Sequence, residues 1–158
     1  MEEKFLLNNF IMEKRNIEGF INAYPNKEFP KYRSLGGEEM EGVRLKLKNL
    51  LILSEKVDKL QLVQILASKS KLCEGYDADE KSFSFRSLLG DLNIATSSKI
   101  FINFYRFDEI DELNLDDVDK YFRYLWYPCS DDIDLFDITL SWVISVSHDG
   151  EISLIRFC

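Results

Sequence analysis

The stretch from Tyr127 to Asp137, YPCSDDIDLFD, sets four carboxylates, Asp131, Asp132, Asp134 and Asp137, among the apolar side chains of Ile133, Leu135 and Phe136. Carboxylates this close together can hold a divalent cation, work as acid and base, or meet a basic partner. An EF-hand calcium loop is excluded by the pattern. An EF-hand loop needs oxygen ligands at alternate positions, a bidentate acid at its end and a glycine at the central turn. Counted from Asp132, the run DIDLFDITLSWV puts Phe136 on a ligand position, Asp137 where the glycine belongs and Val143 at the end.

Asp132 and Asp134, two residues apart, resemble the strand motif by which minimal nucleotidyltransferases place two metal-binding aspartates. That chemistry also needs a Gly-Ser turn at a helix N-terminus to hold the triphosphate. The preceding residues are YFRYLWYPC, and no glycine lies between Gly90 and Gly150. Half of the mechanism is missing, so divalent-metal-dependent phosphotransfer by Asp132 and Asp134 stands only as the alternative. His148 is the single histidine, and its place beside Asp149-Gly150 predicts an exposed turn residue. No side chain is therefore expected to be catalytic, and no metal or cofactor is expected.

Charge patterning favours a partner. Between Asp108 and Asp137 stand eleven acidic residues against Lys120 and Arg123, a net of −9 in a chain whose total is −8. Such a window repels nucleic acid and anionic membranes and attracts a basic protein surface. Within it Asp111, Glu112, Asp116, Asp117, Asp131, Asp132 and Asp134 are the candidates for partner-facing charge. Val118, Phe122, Leu125 and Trp126 share one helical face and are assigned to the core, which leaves Tyr121, Tyr124 and Tyr127 as surface anchors. Local hydrogen bonding competes for some of these aspartates, since Asp also caps helices and turns.

The elements that must position these residues are legible in part. At 158 residues, 46% of them hydrophobic, the chain is expected to form one α+β domain over residues 1–158. Residues 2–22 predict an amphipathic helix through Leu6, Phe10, Ile17, Phe20 and Ile21, followed by a loop to Gly37. Val43–Ser54 alternates enough to favour a strand. Ser54 then caps a helix to Ser70 with Val57, Leu60, Val63, Ile65 and Leu66 inward. CEGYDADEK predicts a polar loop, SFSFRSLL a short strand or a helix start, and Lys99–Phe107 the firmest strand. DEIDELN predicts an acidic loop and residues 116–126 a helix stopped by Pro128. The last segment predicts a C-terminal hairpin about Asp149-Gly150 with a type I′ turn. The sum is an antiparallel sheet packed with N-terminal and central helices. The N-terminus carries no secretory signal pattern and no apolar run long enough to span a bilayer, so a cytoplasmic protein is expected. Cys73, Cys129 and Cys158 match no zinc or redox spacing, and Cys73 and Cys129 are expected as buried apolar filler.

The run from Tyr121 to Gly150 resembles the bacterial immunity proteins of contact-dependent inhibition and related polymorphic toxin systems. The resemblance rests on Trp-Tyr-Pro, the Asp-Asp-Ile-Asp-Leu-Phe-Asp run, Ser141-Trp142 and the His-Asp-Gly turn, about a fifth of the chain. It implies a cytosolic inhibitor without catalysis of its own. Such an inhibitor binds the C-terminal domain of a cognate toxin, commonly a nuclease with a basic cleft.

Overall fold

The breaker-free run Lys99–Tyr105 forms β3, one of three strands at the centre of a seven-stranded antiparallel sheet. The computed structural model describes residues 14–157, so Leu6, Phe10 and Cys158 lie outside the described residues. In chain order the helices are α1 (Lys14–Ala23), α2 (Gly37–Leu50), α3 (Lys59–Lys69), α4 (Phe85–Asp91), α5 (Leu115–Lys120) and α6 (Phe122–Leu125). The other strands are β1 (Tyr32–Ser34), β2 (Lys71–Asp77), β4 (Glu109–Asn114), β5 (Ile133–Phe136), β6 (Trp142–Val146) and β7 (Glu151–Arg156). Their order across the sheet is β1-β4-β3-β5-β6-β7-β2. The expected α+β architecture is the one observed. Among the described residues no helix is long and apolar enough to cross a membrane.

Strand alternation gives the sheet two apolar faces. Ile100, Ile102, Leu113, Leu135 and Ile144 pack with Leu88 of α4, Val118 of α5 and Leu125 of α6. Phe101, Ile110, Phe136 and Val143 point the other way and pack on Leu47 of α2 and Leu62 and Leu66 of α3. The sheet thus lies between two helical layers, and each fully buried side chain of this size contributes roughly 2 kcal/mol.

Several elements differ from the expectation, each for a local reason. Val43–Ser54 is not a strand: residues 37–50 form α2, where Met40, Val43, Leu47 and Leu50 recur at helical spacing. The alternation that suggested a strand came from Leu45, which is exposed. Glu39 fixes the start of α2 by accepting the Gly36 N–H. Asp58, and not Ser54, caps α3 by accepting the Gln61 N–H at 2.8 Å, while the Gln61 side-chain oxygen accepts the Asp58 N–H. That later start turns Leu62 and Leu66 inward and leaves Leu60 largely exposed.

CEGYD belongs to the edge strand β2, whose polar composition suits a largely exposed edge. DEIDELN is β4 rather than a loop, because Ile110 and Leu113 reach opposite sides of the sheet. The helix expected over 116–126 breaks at Tyr121 into α5 and α6, with Val118, Phe122, Leu125 and Trp126 in the core as expected. Cys129 is exposed, not filler, whereas Cys73 is half-buried against the core.

Candidate functional site

Strand register decides which carboxylates can act together. Asn103 faces Asp134, Ile133 faces Val146, and Asp77 faces Glu151. The turns at 106–108, 128–132, 147–150 and 78–80 therefore gather at one end of the sheet. Lys99 faces Asn114 and Phe101 faces Phe136 toward the opposite end. The acidic window is accordingly not one surface. Asp116 and Asp117 follow Asn114 at the far end, where Asp116 pairs with Arg86. Asp131, Asp132 and Asp134 belong to the near end.

Some expected contact residues prove to be structural. Asp111 is 0% exposed and accepts the Ser34 hydroxyl at 2.6 Å. It sits on the face of β4 that the sequence took for a solvated loop. Glu112 is half-buried and lies 3.3 Å from Arg33, which Glu39 shares at 2.8 Å. Asp131 holds its own turn: it accepts the Tyr127 N–H at 2.9 Å and pairs with Arg15, while its carbonyl accepts the Trp126 indole N–H. Asp137 is buried among loop donors.

Of the three tyrosines, one is withdrawn from the surface. Tyr121 is 8% exposed because Phe20 and Tyr24 of the N-terminal segment pack edge-on against it. Tyr124 is half-buried in the same aromatic cluster. Tyr127 is half-buried with the Arg15 guanidinium over its ring. Helical periodicity within 116–126 could not reveal these partners, since they come from a segment about a hundred residues earlier. Tyr105, in the strand that the sequence predicted, ends β3 at the near end with its side chain about half exposed.

What the near end presents is a set of carboxylates drawn from separate segments. Asp132 and Asp149 have side chains 71% and 72% exposed, and both flank His148. His148 is exposed, as expected of a turn residue, but it is also clamped: Asp132 accepts its N–H at 2.7 Å and lies 2.9 Å from Nδ1. That bond to Asp132, with the charge of Asp149, raises the imidazole above its ordinary value. Asp77, Asp79, Glu80 and Glu151 are exposed beside them. The Gly150 carbonyl accepts the Ala78 N–H at 3.0 Å, which brings the 77–80 turn onto the hairpin.

The hairpin turn is not type I′. Gly150 alone of the turn residues takes positive φ, at 86°, and its N–H reaches the Ser147 carbonyl, the pattern of a type I turn with a glycine bulge. The φ of Gly150 is what favours glycine there, and a Cβ would in addition push the Asp77 carboxylate aside. The sequence located Asp149-Gly150 as this turn. It could not foresee that the 77–80 segment, some seventy residues earlier, would join them.

Asp134 differs in kind. It points to the sheet face under α3, where Ser145 Oγ donates to its Oδ1 at 2.6 Å and Asn103 Nδ2 to its Oδ2 at 2.9 Å. Burial pushes its carboxyl above the ordinary carboxylate value, with repulsion from Asp132 adding to the shift. Asp132 and Asp134 both line a groove of about 590 Å³ between α3 and the sheet. Among the described residues no three His, Cys, Asp or Glu side chains converge as metal ligands.

Comparison of the chain with protein-family models, with curated proteins and with solved structures found no match.

Proposed function

We propose that the protein is an inhibitor of the bacterial immunity type, acting in the cytoplasm without catalysis of its own and neutralising a cognate toxin domain, of nuclease type, that presents a basic cleft. The observation that carries this proposal is the convergence of exposed carboxylates, Asp79, Asp132, Asp149 and Glu151 among them, from three separate segments at one end of the sheet. Charges fixed on tight turns of a hydrogen-bonded sheet keep their spacing. They can occupy a phosphate-binding cleft without reorganising, and their field speeds encounter with a cationic surface. Exposed Tyr105 beside them supplies an aromatic anchor. The resemblance over Tyr121–Gly150 adds the partner class. The contact surface is redrawn: Asp132 stays, Asp111 and Tyr121 leave, and Asp79, Asp149 and Glu151 enter.

The test is co-purification with the C-terminal domain encoded by the reading frame immediately upstream, at low and high salt. Retention of that domain at low salt and loss at high salt is expected. Neutralising Asp79, Asp132 and Asp149 to Asn and Glu151 to Gln should weaken the complex by about tenfold at low salt. The pair Asp116→Asn and Asp117→Asn at the far end should leave it unchanged. Equal loss from both sets, or no complex with the neighbouring product, would sink this account.

A second reading, phosphotransfer with a divalent metal on Asp132 and Asp134, draws support from one fact: both line the same groove. It requires that magnesium raise the melting temperature and that Asp132→Asn abolish the rise. A melting temperature indifferent to millimolar magnesium rejects it.

A further inference from the structure

The groove between α3 and the sheet has a polar floor where the rest of that face is core. Asn103, Asp134, Ser145 and Ser153 stand in register across β3, β5, β6 and β7. Two residues along the same strands, Phe101, Phe136 and Val143 are buried among leucines. A row that merely filled the layer would be apolar too, since a polar group there must find partners. Asn103 is held by three bonds: its Oδ1 accepts the N–H groups of Tyr105 and Phe107, and its Nδ2 donates to Asp134. Asp134 is thus held by neutral donors and, among the described residues, by no cation.

Two further acceptors join it. Asp132 lines the groove with its side chain largely exposed. Ser147 also lines the groove, and its Oγ is buried without a hydrogen-bond partner. Opposite them α3 contributes Leu60, Val63 and Ala67, an alkyl wall. Arg106 is the one Lys or Arg among the described lining residues, and its guanidinium lies over the Tyr105 ring, 4.7 Å from the centroid. The groove therefore asks for a group that is positively charged, offers several donors and no acceptor, and carries an apolar stem. A primary ammonium has three donors and no acceptor, and its methylenes suit an apolar wall. A magnesium ion, which dehydrates reluctantly and keeps several of its waters, would leave the alkyl wall without a partner.

We infer that this groove binds an alkylammonium group, its stem against Leu60, Val63 and Ala67 and its nitrogen between Asp132, Asp134 and Ser147. The cation would relieve the repulsion between the two carboxylates. A lysine side chain of a partner protein and a free aliphatic amine share this chemistry. The inference rests on the groove alone, so it survives if the immunity assignment fails.

The experiment follows the backbone amides of the full chain by NMR during titration with pentylamine, pentanol, magnesium chloride and an end-blocked peptide containing one lysine. Pentylamine or the peptide should shift the amides of Ala67, Asn103, Asp134 and Ser145 saturably, and pentanol and magnesium should not. Asp134→Asn should weaken binding by about tenfold, the loss of one charge-assisted hydrogen bond. Ala67→Phe, at an exposed position of α3, fills the groove without touching the carboxylates and carries the test if Asp134→Asn does not fold. Tighter binding of the peptide assigns the site to a partner's lysine, and tighter binding of pentylamine assigns it to a free amine. Absence of a saturable shift with either, equal shifts with pentanol or magnesium, or unaltered affinity in folded Ala67→Phe overturns the inference.

Discussion

Asp137→Ala should lower the unfolding free energy by roughly 4 kcal/mol, and the melting temperature by roughly 10 °C, although Asp137 ends a run that reads as surface acid. Its side chain is 1% exposed. Oδ2 accepts the Thr96 hydroxyl at 3.0 Å and the Ser97 N–H at 3.2 Å, and Oδ1 accepts the Thr139 N–H at 3.0 Å together with its hydroxyl. One carboxylate thus ties the loop before β3 to the loop between β5 and β6. Alanine would take the shared acceptor from two hydroxyls and two backbone N–H groups. Asparagine keeps the shape but only one acceptor oxygen, so Asp137→Asn should fall between. Burial pushes this carboxyl up, but the bonds from Thr139, Ser97 and Thr96 outweigh burial and hold it below the ordinary carboxylate value. A carboxyl depressed on folding stabilises above its unfolded value, near 3.8, and that contribution is lost as the pH falls through the folded one. Wild type and variant should therefore differ most at neutral pH and converge in acid, as read from urea midpoints at both. A variant within 1 kcal/mol of wild type at neutral pH would remove this role.

How far the molecule was legible from its sequence depends on where each residue's partners lie. β3 was legible because seven residues without a breaker carry their own pattern, and the C-terminal hairpin because Asp149-Gly150 marks it locally. α2 was misread because lysines and leucines alternate over a few residues while the apolar face repeats at helical spacing only over the whole segment. β4 was hidden by its charge: an aspartate at 0% exposure is permitted there only by Ser34 on the neighbouring strand, which no local pattern announces. The site suffered most. A linear acidic window is one surface only if its segments share an end of the sheet, and the register sends Asp116 and Asp132 to opposite ends. Asp79 and Asp149 meet for the same reason in reverse. The aromatic residues near α6 were half legible, since Phe122 and Leu125 follow helical period, whereas the burial of Tyr121 depends on Phe20.

Replacing Asp111 should have the opposite sign. Asp111→Asn is expected to stabilise the protein at pH 7.5 by about 2 kcal/mol and to flatten its stability between about pH 4 and 6. The wild-type carboxyl is closed off under the β1 edge with one donor, Ser34, while Oδ2 is buried without a partner. Burial pushes it up to about 6 from 3.8, the Ser34 bond draws it down in part, and the charge of Glu109 adds to the rise. A carboxyl raised on folding binds its proton more tightly in the folded chain. Its contribution is complete below about pH 4 and is lost as the pH rises through about 6, which amounts to roughly 3 kcal/mol at neutral pH. Asparagine is uncharged throughout, and its carbonyl can still accept the Ser34 hydroxyl. Its amide stands where Oδ2 has no partner, at a cost of about 1 kcal/mol, and the net gain near 2 kcal/mol follows. At pH 3.5, where the wild-type group is largely protonated, the variant should be no more stable than wild type. Denaturation midpoints across pH 3.5–8 check this directly: a variant that keeps the wild-type slope from pH 4 to 6 would mean that another group titrates there, and that the Asp111 carboxyl is solvated after all.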